Sequence, residues 1–274
     1  MQTSVRDRVP GLILLLAAIV FSIFPLVSML TAALQPQGTI PVGVSWPADP
    51  QWHNFVDAWK VADITPLLWS SIILVIGVVP VAALFATMAG YALGQLRVPG
   101  SGLLFLLFLF GLTLPREATI IPLYYQIRDM GLLNTRLGLI LVLIAAFMPF
   151  AVFWMRAHFL TMPKELSEAS AIDGATQWQA FTRIQIPLAV PAIASMCLLL
   201  FLWTWNTFLQ AIVLIDDPSK RTMAGALQNF VGQYSTDVVL LNAGSLLIMA
   251  PTIIVFLFFQ RHFIKAMIAG AVKG

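Results

Sequence analysis

PKELSEASAIDGATQWQAFTRIQIP, residues 163–187, is a long polar stretch between two apolar runs of membrane-spanning length. Its residue types predict two short helices. Pro163 suits a first helical position, where a missing N–H costs nothing, and Glu165 and Glu168 suit the positive amino-terminal end of a helix dipole. Gly174 can take the left-handed conformation that ends such a helix. In the second piece Trp178, Phe181 and Ile184 recur at near-helical spacing as an apolar stripe, while Gln177, Gln179, Thr182, Arg183 and Gln185 are the polar remainder. Pro187 then opens the next apolar run. A compact, partly apolar elbow of this kind either lies along a membrane surface or docks in the groove of a partner.

Working outward, the chain is dominated by apolar runs. Of its 274 residues, 59% are hydrophobic and only 10% charged, with a mean hydropathy of +0.90. That composition excludes an ordinary soluble domain. A hydrocarbon slab about 30 Å thick needs roughly 20 apolar residues per helical crossing, because unsatisfied backbone groups are too costly in lipid. Six stretches qualify: Pro10 to Leu34, Leu67 to Leu93, Gly102 to Ile127, Leu137 to Phe159, Leu188 to Ile215 and Leu240 to Gln260. The expected fold is therefore an all-α membrane protein with six transmembrane helices. The first run follows Arg6 and Arg8 but exceeds the apolar length of a secretory signal, so it is expected to be a retained helix. Cys197 is the single cysteine, which excludes an intrachain disulfide and reads as an apolar core thiol.

Charge sets the expected orientation. With the amino terminus inside, the inner segments collect Arg6, Arg8, Arg97, Arg156, Lys164, Arg183, Arg261, Lys265 and Lys273, nine of the fifteen Lys and Arg. The outer segments hold Lys60, Arg128, Arg136, Lys220 and Arg221, so both termini and residues 163–187 are expected in the cytoplasm. The pI near 9.2 reflects a small excess of charge beside membrane helices, which fits a lipid surface and not nucleic acid. Trp46, Trp52, Trp59 and Trp69 lie in or beside the first outer loop, either as an interfacial belt or as rings on which a sugar stacks. Pro36, Pro41, Pro47 and Pro50 predict an irregular connector there.

Some polar residues fall inside the apolar runs. A charge at mid-membrane costs about 2.5–3.5 kcal/mol on insertion scales, so Arg116 and Glu117 either line a solute path or snorkel from a helix broken by Pro115. Thr204, Asn206 and Gln210 in the fifth run, and Asn242 and Ser245 in the sixth, have two readings: hydrogen bonds to a solute, or bonds between helices. His53, His158 and His262 lack metal spacing, so no metal site is assigned. There is no GxxxxGK[ST] loop for a nucleoside triphosphate.

Within the elbow, Glu168, Ala169, Ser170, Gly174, Ile184 and Pro187 stand at the spacing of the EAA motif, with Ser170 in place of the second Ala. That segment resembles the coupling loop of ABC importer permeases, and the likeness runs along most of the chain toward the second permease of maltose-type carbohydrate importers. Asn54-Phe55 with Ala58-Trp59 is similar to that family's approach to helix two, and Leu114 to Thr135 to its third helix and outer turn. Trp205-Asn206-Thr207-Phe208 resembles a family Trp-Asn motif that often continues with an acid, from which Thr207 departs. Gln260 to Gly274 resembles the family's carboxyl terminus, with Ala266 and Ile268 departing from the usual Gly and Thr.

The resemblance implies a type-1 permease fold: an amino-terminal helix and outer loop over 1–65, a core over 66–260 that includes the coupling loop 163–187, and a cytoplasmic tail over 261–274. It implies transport of a sugar or sugar-like solute across a bacterial cytoplasmic membrane, with no catalysis in this chain. The implied partners are a second permease subunit, two copies of a cytoplasmic ATPase that bind MgATP, an extracytoplasmic solute-binding protein and lipid. Glu168 would anchor the ATPase, with Ala169 and Ser170 beside it, Asp173 would cap or anchor, and Gly174 would make the bend. Trp178 and Phe181 would pack the elbow on the helices, with Ile184 and Pro187 completing the motif. A secondary transporter or channel is the competing class, although no internal repeat supports it. Asp173-Gly174-Ala175 also resembles the start of the CDP-alcohol phosphotransferase signature, but the further paired aspartates are missing.

Overall fold

The computed structural model describes the backbone of residues 5–230 and 237–271, and every regular element among them is helical. The elements are α1 (Val5–Ala33), α2 (Asn54–Val61), α3 (Ile64–Gln95), α4 (Ser101–Thr113), α5 (Ile120–Asp129), α6 (Arg136–Leu160), α7 (Lys164–Ile172), α8 (Gln177–Ala180), α9 (Ile186–Trp205), α10 (Leu209–Leu214) and α11 (Val238–Ala271). A π turn, Phe181–Gln185, joins α8 to α9 without a break. Among the described residues, five helical spans are long and apolar enough to cross a membrane: Pro10–Ala33, Ile64–Gln95, Arg136–Leu160, Gln177–Trp205 and Val238–Gln260.

The expected third crossing differs. α4 has 13 residues and ends at Leu114, whose ψ of 122° is extended, because the ring of Pro115 disfavours helical geometry in the residue before it. Thirteen residues rise only about 20 Å, short of the slab, so α4 does not cross alone. After a turn over 115–119 the helix restarts as α5. The fifth run is interrupted too. α9 stops at Trp205, where Asn206 Nδ2 donates to the Leu202 carbonyl at 2.8 Å and Thr207 Oγ1 to that of Trp203 at 2.8 Å. Such local side-chain bonds offer the backbone an alternative to the helical ladder. The stretch Asn54 to Trp59 does not begin the second crossing: it forms α2, which is separated from α3 at Asp63, a residue with φ +47°.

Two compact units are distinguished, Met1–Thr65 with Ala226–Ala250, and Pro66–Gly225 with Pro251–Gly274. In the first, Ala33, Leu34, Ala58, Ala62 and Ile64 are fully buried. Asn54 organises them: its amide donates to the carbonyls of Ala33 (2.8 Å) and Gln35 (2.9 Å) and accepts from Gln37 Nε2 (3.1 Å). Asn54→Ala would leave two carbonyls without donors and is expected to destabilise the unit by about 2 kcal/mol. A lowered aggregation temperature of the purified protein in detergent is the measurement. The apolar window of α1 has no buried residue, so its side chains require lipid or another helix.

In the second unit α6 is the central helix. Leu139, Leu143, Phe147, Ala151, Met155 and Phe159 fall four residues apart and are all buried, a ridge that winds slowly round the helix, so α6 is covered on different sides along its length. They share a core with Leu74, Val78, Ala82 and Ala86 of α3 and with Ala189, Met196 and Leu200 of α9. At the end of α6 that carries its amino terminus, Arg136 donates to Ser70 Oγ (2.9 Å) and to the Ser219 carbonyl (3.3 Å), while Ser71 Oγ accepts from Met223 N (2.7 Å). Asn134, at φ +58°, accepts from Asp217 N at 3.0 Å. The Ser219 hydroxyl and the nearby Lys220 hold the Asp217 carboxyl below its usual range.

Candidate functional site

The elbow between α6 and α9 is built by three local devices. α7 begins just after Pro163, with Glu165 in its first turn. It ends in a Schellman turn: Gly174, at φ +80°, donates to the Ala171 carbonyl (3.1 Å), and Ala175 N donates to that of Ser170 (2.9 Å). The second device is a capping box that starts α8. Thr176 Oγ1 accepts from Gln179 N at 3.3 Å, and Gln179 Oε1 accepts from Thr176 N at 2.8 Å. That Thr-x-x-Gln signature is legible in the sequence, although the apolar stripe alone does not reveal it. The third is the π turn at Phe181–Gln185, followed by Pro187 in the first turn of α9.

The expected coupling residues divide into an outward and an inward set. Glu168, Ala169, Asp173 and Gly174 are exposed, as is Pro187, and Ile184 is half-buried. Ser170 is buried, its hydroxyl donating to the Ser167 carbonyl at 2.8 Å. Phe181 is buried with its ring centroid 4.7 Å from that of Tyr91. Trp178 does not join it in the bundle. Its ring lies 5.5 Å from Phe181, yet the residue is 61% exposed, and it is Phe181, just after the single turn of α8, whose ring meets Tyr91 of α3. Ile172 is 87% exposed and Leu166 38%. Ile172 lies one helical turn from Glu168, so an apolar side chain is open beside the acid on α7.

Side chains outside the elbow brace it, and the sequence reading does not single them out. Gln95 at the end of α3 donates to the Phe159 carbonyl at 2.5 Å and to that of Met162 at 3.4 Å, tying α3 to the carboxyl end of α6. Arg156 donates to the Leu93 carbonyl (3.2 Å) with its guanidinium 3.8 Å from the Phe105 ring. Between these supports and the elbow lies a cleft of about 580 Å³ lined by Tyr91, Gln95, Arg97, Glu168, Ser170 and Gln177.

The residues expected along a solute path are not gathered in one place by their described contacts. Arg116 sits in the turn after Pro115, exposed, with its guanidinium 5.1 Å from the Phe147 ring and 5.2 Å from that of Trp203. Such a placement is stabilised by the negative faces of the rings. Glu117 is exposed in the same turn. Asn206 caps α9 with its own amide, and Gln210 is half-buried on α10. Asn242 and Ser245 belong to the other unit and donate within α11, to the carbonyls of Val238 (2.7 Å) and Leu241 (2.7 Å). Among the described residues no three His, Cys, Asp or Glu side chains are grouped to hold a metal. Residues 272–274 of the tail, and the side chains of 261–271 including His262, lie outside the described residues.

Comparison with known proteins places this arrangement. Residues 5–269 match the family described as binding-protein-dependent transport system inner membrane component. The diacetylchitobiose uptake system permease protein NgcG of Streptomyces coelicolor is 33% identical over 93% of this chain and 83% of its own length. The melibiose/raffinose/stachyose import permease protein MelC of Bacillus subtilis is 32% identical over 98% of this chain and 99% of its own. A chain in the crystal structure of a bacterial ABC transporter involved in the import of the acidic polysaccharide alginate superposes with a TM-score of 0.79. It is 23% identical and covers 96% of this chain and 99% of that one. The fold is thus that of an ABC importer permease. With its multi-pass apolar helices and an elbow between α6 and α9, the chain belongs to the family of binding-protein-dependent transport system inner membrane components.

Proposed function

We propose that this chain is one of two membrane-spanning permease subunits of an ABC importer for a sugar or sugar-like solute in a bacterial cytoplasmic membrane. The observation that carries this reading is the elbow: a short helix, α7, with an exposed acid, Glu168, and exposed Ile172 one turn on, closed by a left-handed glycine and followed by a single turn that runs through the π turn into a membrane span. Such an element suits docking in the groove of a cytoplasmic partner. In this reading both termini and the elbow face the cytoplasm, two ATPase copies bind MgATP, and a solute-binding protein delivers the solute from outside. Residues 1–65 form an amino-terminal helix and outer loop, 66–260 the permease core with its coupling loop 163–187, and 261–274 a cytoplasmic tail. The sugar assignment is supported by the relatives named for diacetylchitobiose and for melibiose, raffinose and stachyose.

Glu168 is the anchor, with Ala169, Ser170 and Asp173 beside it, Gly174 the bend, and Trp178 and Phe181 the outward and inward rings of the elbow. Ile184 and Pro187 complete its passage into α9. Alternating access follows if the bundle has two arrangements and ATP-driven closure of the partner biases one of them through the elbow. On the solute side, the candidates are Arg116, Glu117, Asn206 and Gln210, with Asn242 and Ser245 of the other unit. The test is expression of the tagged chain with its neighbouring genes, extraction in mild detergent, and comparison of co-purified ATPase for the native chain and Glu168→Lys. Native retention of an ATPase, reduced about tenfold by the reversed charge, is the expected result; one lost contact of about 1.4 kcal/mol suffices for that factor. If no ATPase accompanies the native chain in several detergents, the importer reading fails in favour of a channel or secondary transporter.

A further inference from the structure

Between the elbow and α9 the helix changes pitch, and the change has a local cause. Pro187 has no N–H to give the carbonyl of Arg183, and its ring would clash with that carbonyl in a continuous α-helix. Over Phe181–Gln185 the chain instead widens to a π turn, in which Ile186 N–H donates to the Phe181 carbonyl. A π turn holds one residue more than an α turn, and such bulges mark places where a helix changes register.

The two ends of this turn are attached to different neighbours. Phe181 is wedged on Tyr91 of α3, with ring centroids 4.7 Å apart. Gln185 has 0% exposure, and its Nε2 donates to Ser167 Oγ of α7 at 3.0 Å. Ser167 immediately precedes Glu168. A pull on α7 therefore reaches Gln185 directly, while Phe181 is held by α3. Gln185 Oε1 has no hydrogen-bond partner among the described residues. Exchanging the amide oxygen and nitrogen would only move the deficit, since Ser167 Oγ engages one of the two atoms.

We propose that Gln185 is a positioning residue which, through Ser167, ties the elbow to the π turn, and that this turn is the joint at which elbow movement re-registers α9. The proposal rests on the importer reading and deepens it. It adds a residue outside the EAA positions, and it predicts a defect in coupling, not in partner binding, because Gln185 is buried and cannot touch an ATPase.

The experiment uses the whole importer reconstituted in proteoliposomes and reads solute taken up per ATP hydrolysed. Gln185→Met, which keeps length and removes both polar atoms, is expected to leave co-purified ATPase and its hydrolysis rate near native. The ratio of uptake to hydrolysis is expected to fall about tenfold, the factor that corresponds to one lost hydrogen bond of ordinary strength. Ser167→Ala should lower the ratio in the same direction, and Ser167→Thr, which retains the hydroxyl, should restore it. Native ratios in both Gln185→Met and Ser167→Ala overturn the proposal. If Gln185→Met fails to assemble, the Ser167 pair decides: equal ratios for the alanine and threonine variants overturn it. Absence of ATP-dependent uptake by the native complex is a different result, which removes the importer reading itself and this proposal with it.

Discussion

Gly174→Pro is expected to abolish ATP-driven uptake while the helix bundle still assembles. The residue sits at φ +80°, and proline is confined to about −65°, so the substitution cannot be absorbed in place. It also deletes the N–H that donates to the Ala171 carbonyl, one of the two bonds of the Schellman turn. Space is not the issue: a Cβ at 174 meets nothing within 4 Å. Gly174→Ala should therefore suffer only the backbone penalty of about 1–2 kcal/mol for an L-residue in the left-handed region. The expected ranking is native, then alanine with reduced but measurable uptake, then proline with uptake down about a hundredfold, equivalent to roughly 3 kcal/mol in the coupled state. Because the lesion lies outside the apolar core of the second unit, the size-exclusion profile in detergent should remain native for both. Uptake by the proline variant within a few-fold of the alanine variant would show that the left-handed turn is not needed for coupling.

This turn is also the part of the site most visible in the sequence. A lone glycine after an acid-rich first helix and before an aromatic one is a stop signal with a mechanism, and the structure places it at φ +80°. The long spans are equally legible, because apolar runs of this length have no soluble alternative. What the composition does not reveal is where a run is interrupted. The stretch Gly102 to Ile127 is apolar throughout most of its length, and only the backbone restriction before Pro115 decides that it becomes α4 and α5. Asn206 looks the same in sequence whether it meets a solute or caps its own helix, and its 2.8 Å bond to Leu202 is a matter of local geometry. Burial is harder still. Trp178 and Phe181 are both large, apolar and three residues apart, yet one faces out and the other packs on Tyr91. Gln185 reads as part of a polar face and is fully buried. Gly90-Tyr91-Ala92-Leu93-Gly94 is a small-xxx-small pattern inside the second apolar run, and what its glycines meet is shown only by the fold.

That pattern underlies the largest expected effect on assembly. A Cβ at Gly90 would lie 2.6 Å from Met155 Cβ and 2.8 Å from Arg156 N, and one at Gly94 would lie 3.0 Å from Phe159 Cβ. The backbones of α3 and α6 therefore meet almost directly, and at Gly90 the obstacle includes main-chain atoms that cannot rotate away. Gly90→Leu must push the helices apart. Separation would break the bonds from Arg156 to the Leu93 carbonyl and from Gln95 to the Phe159 carbonyl. It would also undo the edge contact of Tyr91 on Phe159, now at 5.5 Å. Overpacking alone costs about 1–3 kcal/mol, and the loss of two hydrogen bonds raises the total above about 3 kcal/mol. Insertion into the membrane should be unaffected, since each span stays apolar, but the yield of monodisperse protein after detergent extraction should fall at least about tenfold. Gly102→Leu is the matched control: it makes the same change on α4, where a Cβ meets nothing within 4 Å. Equal yields from Gly90→Leu and Gly102→Leu would mean that α3 and α6 are not held at backbone distance. A selective loss at Gly90 would establish the close approach that holds Tyr91 and Gln95 beneath the elbow.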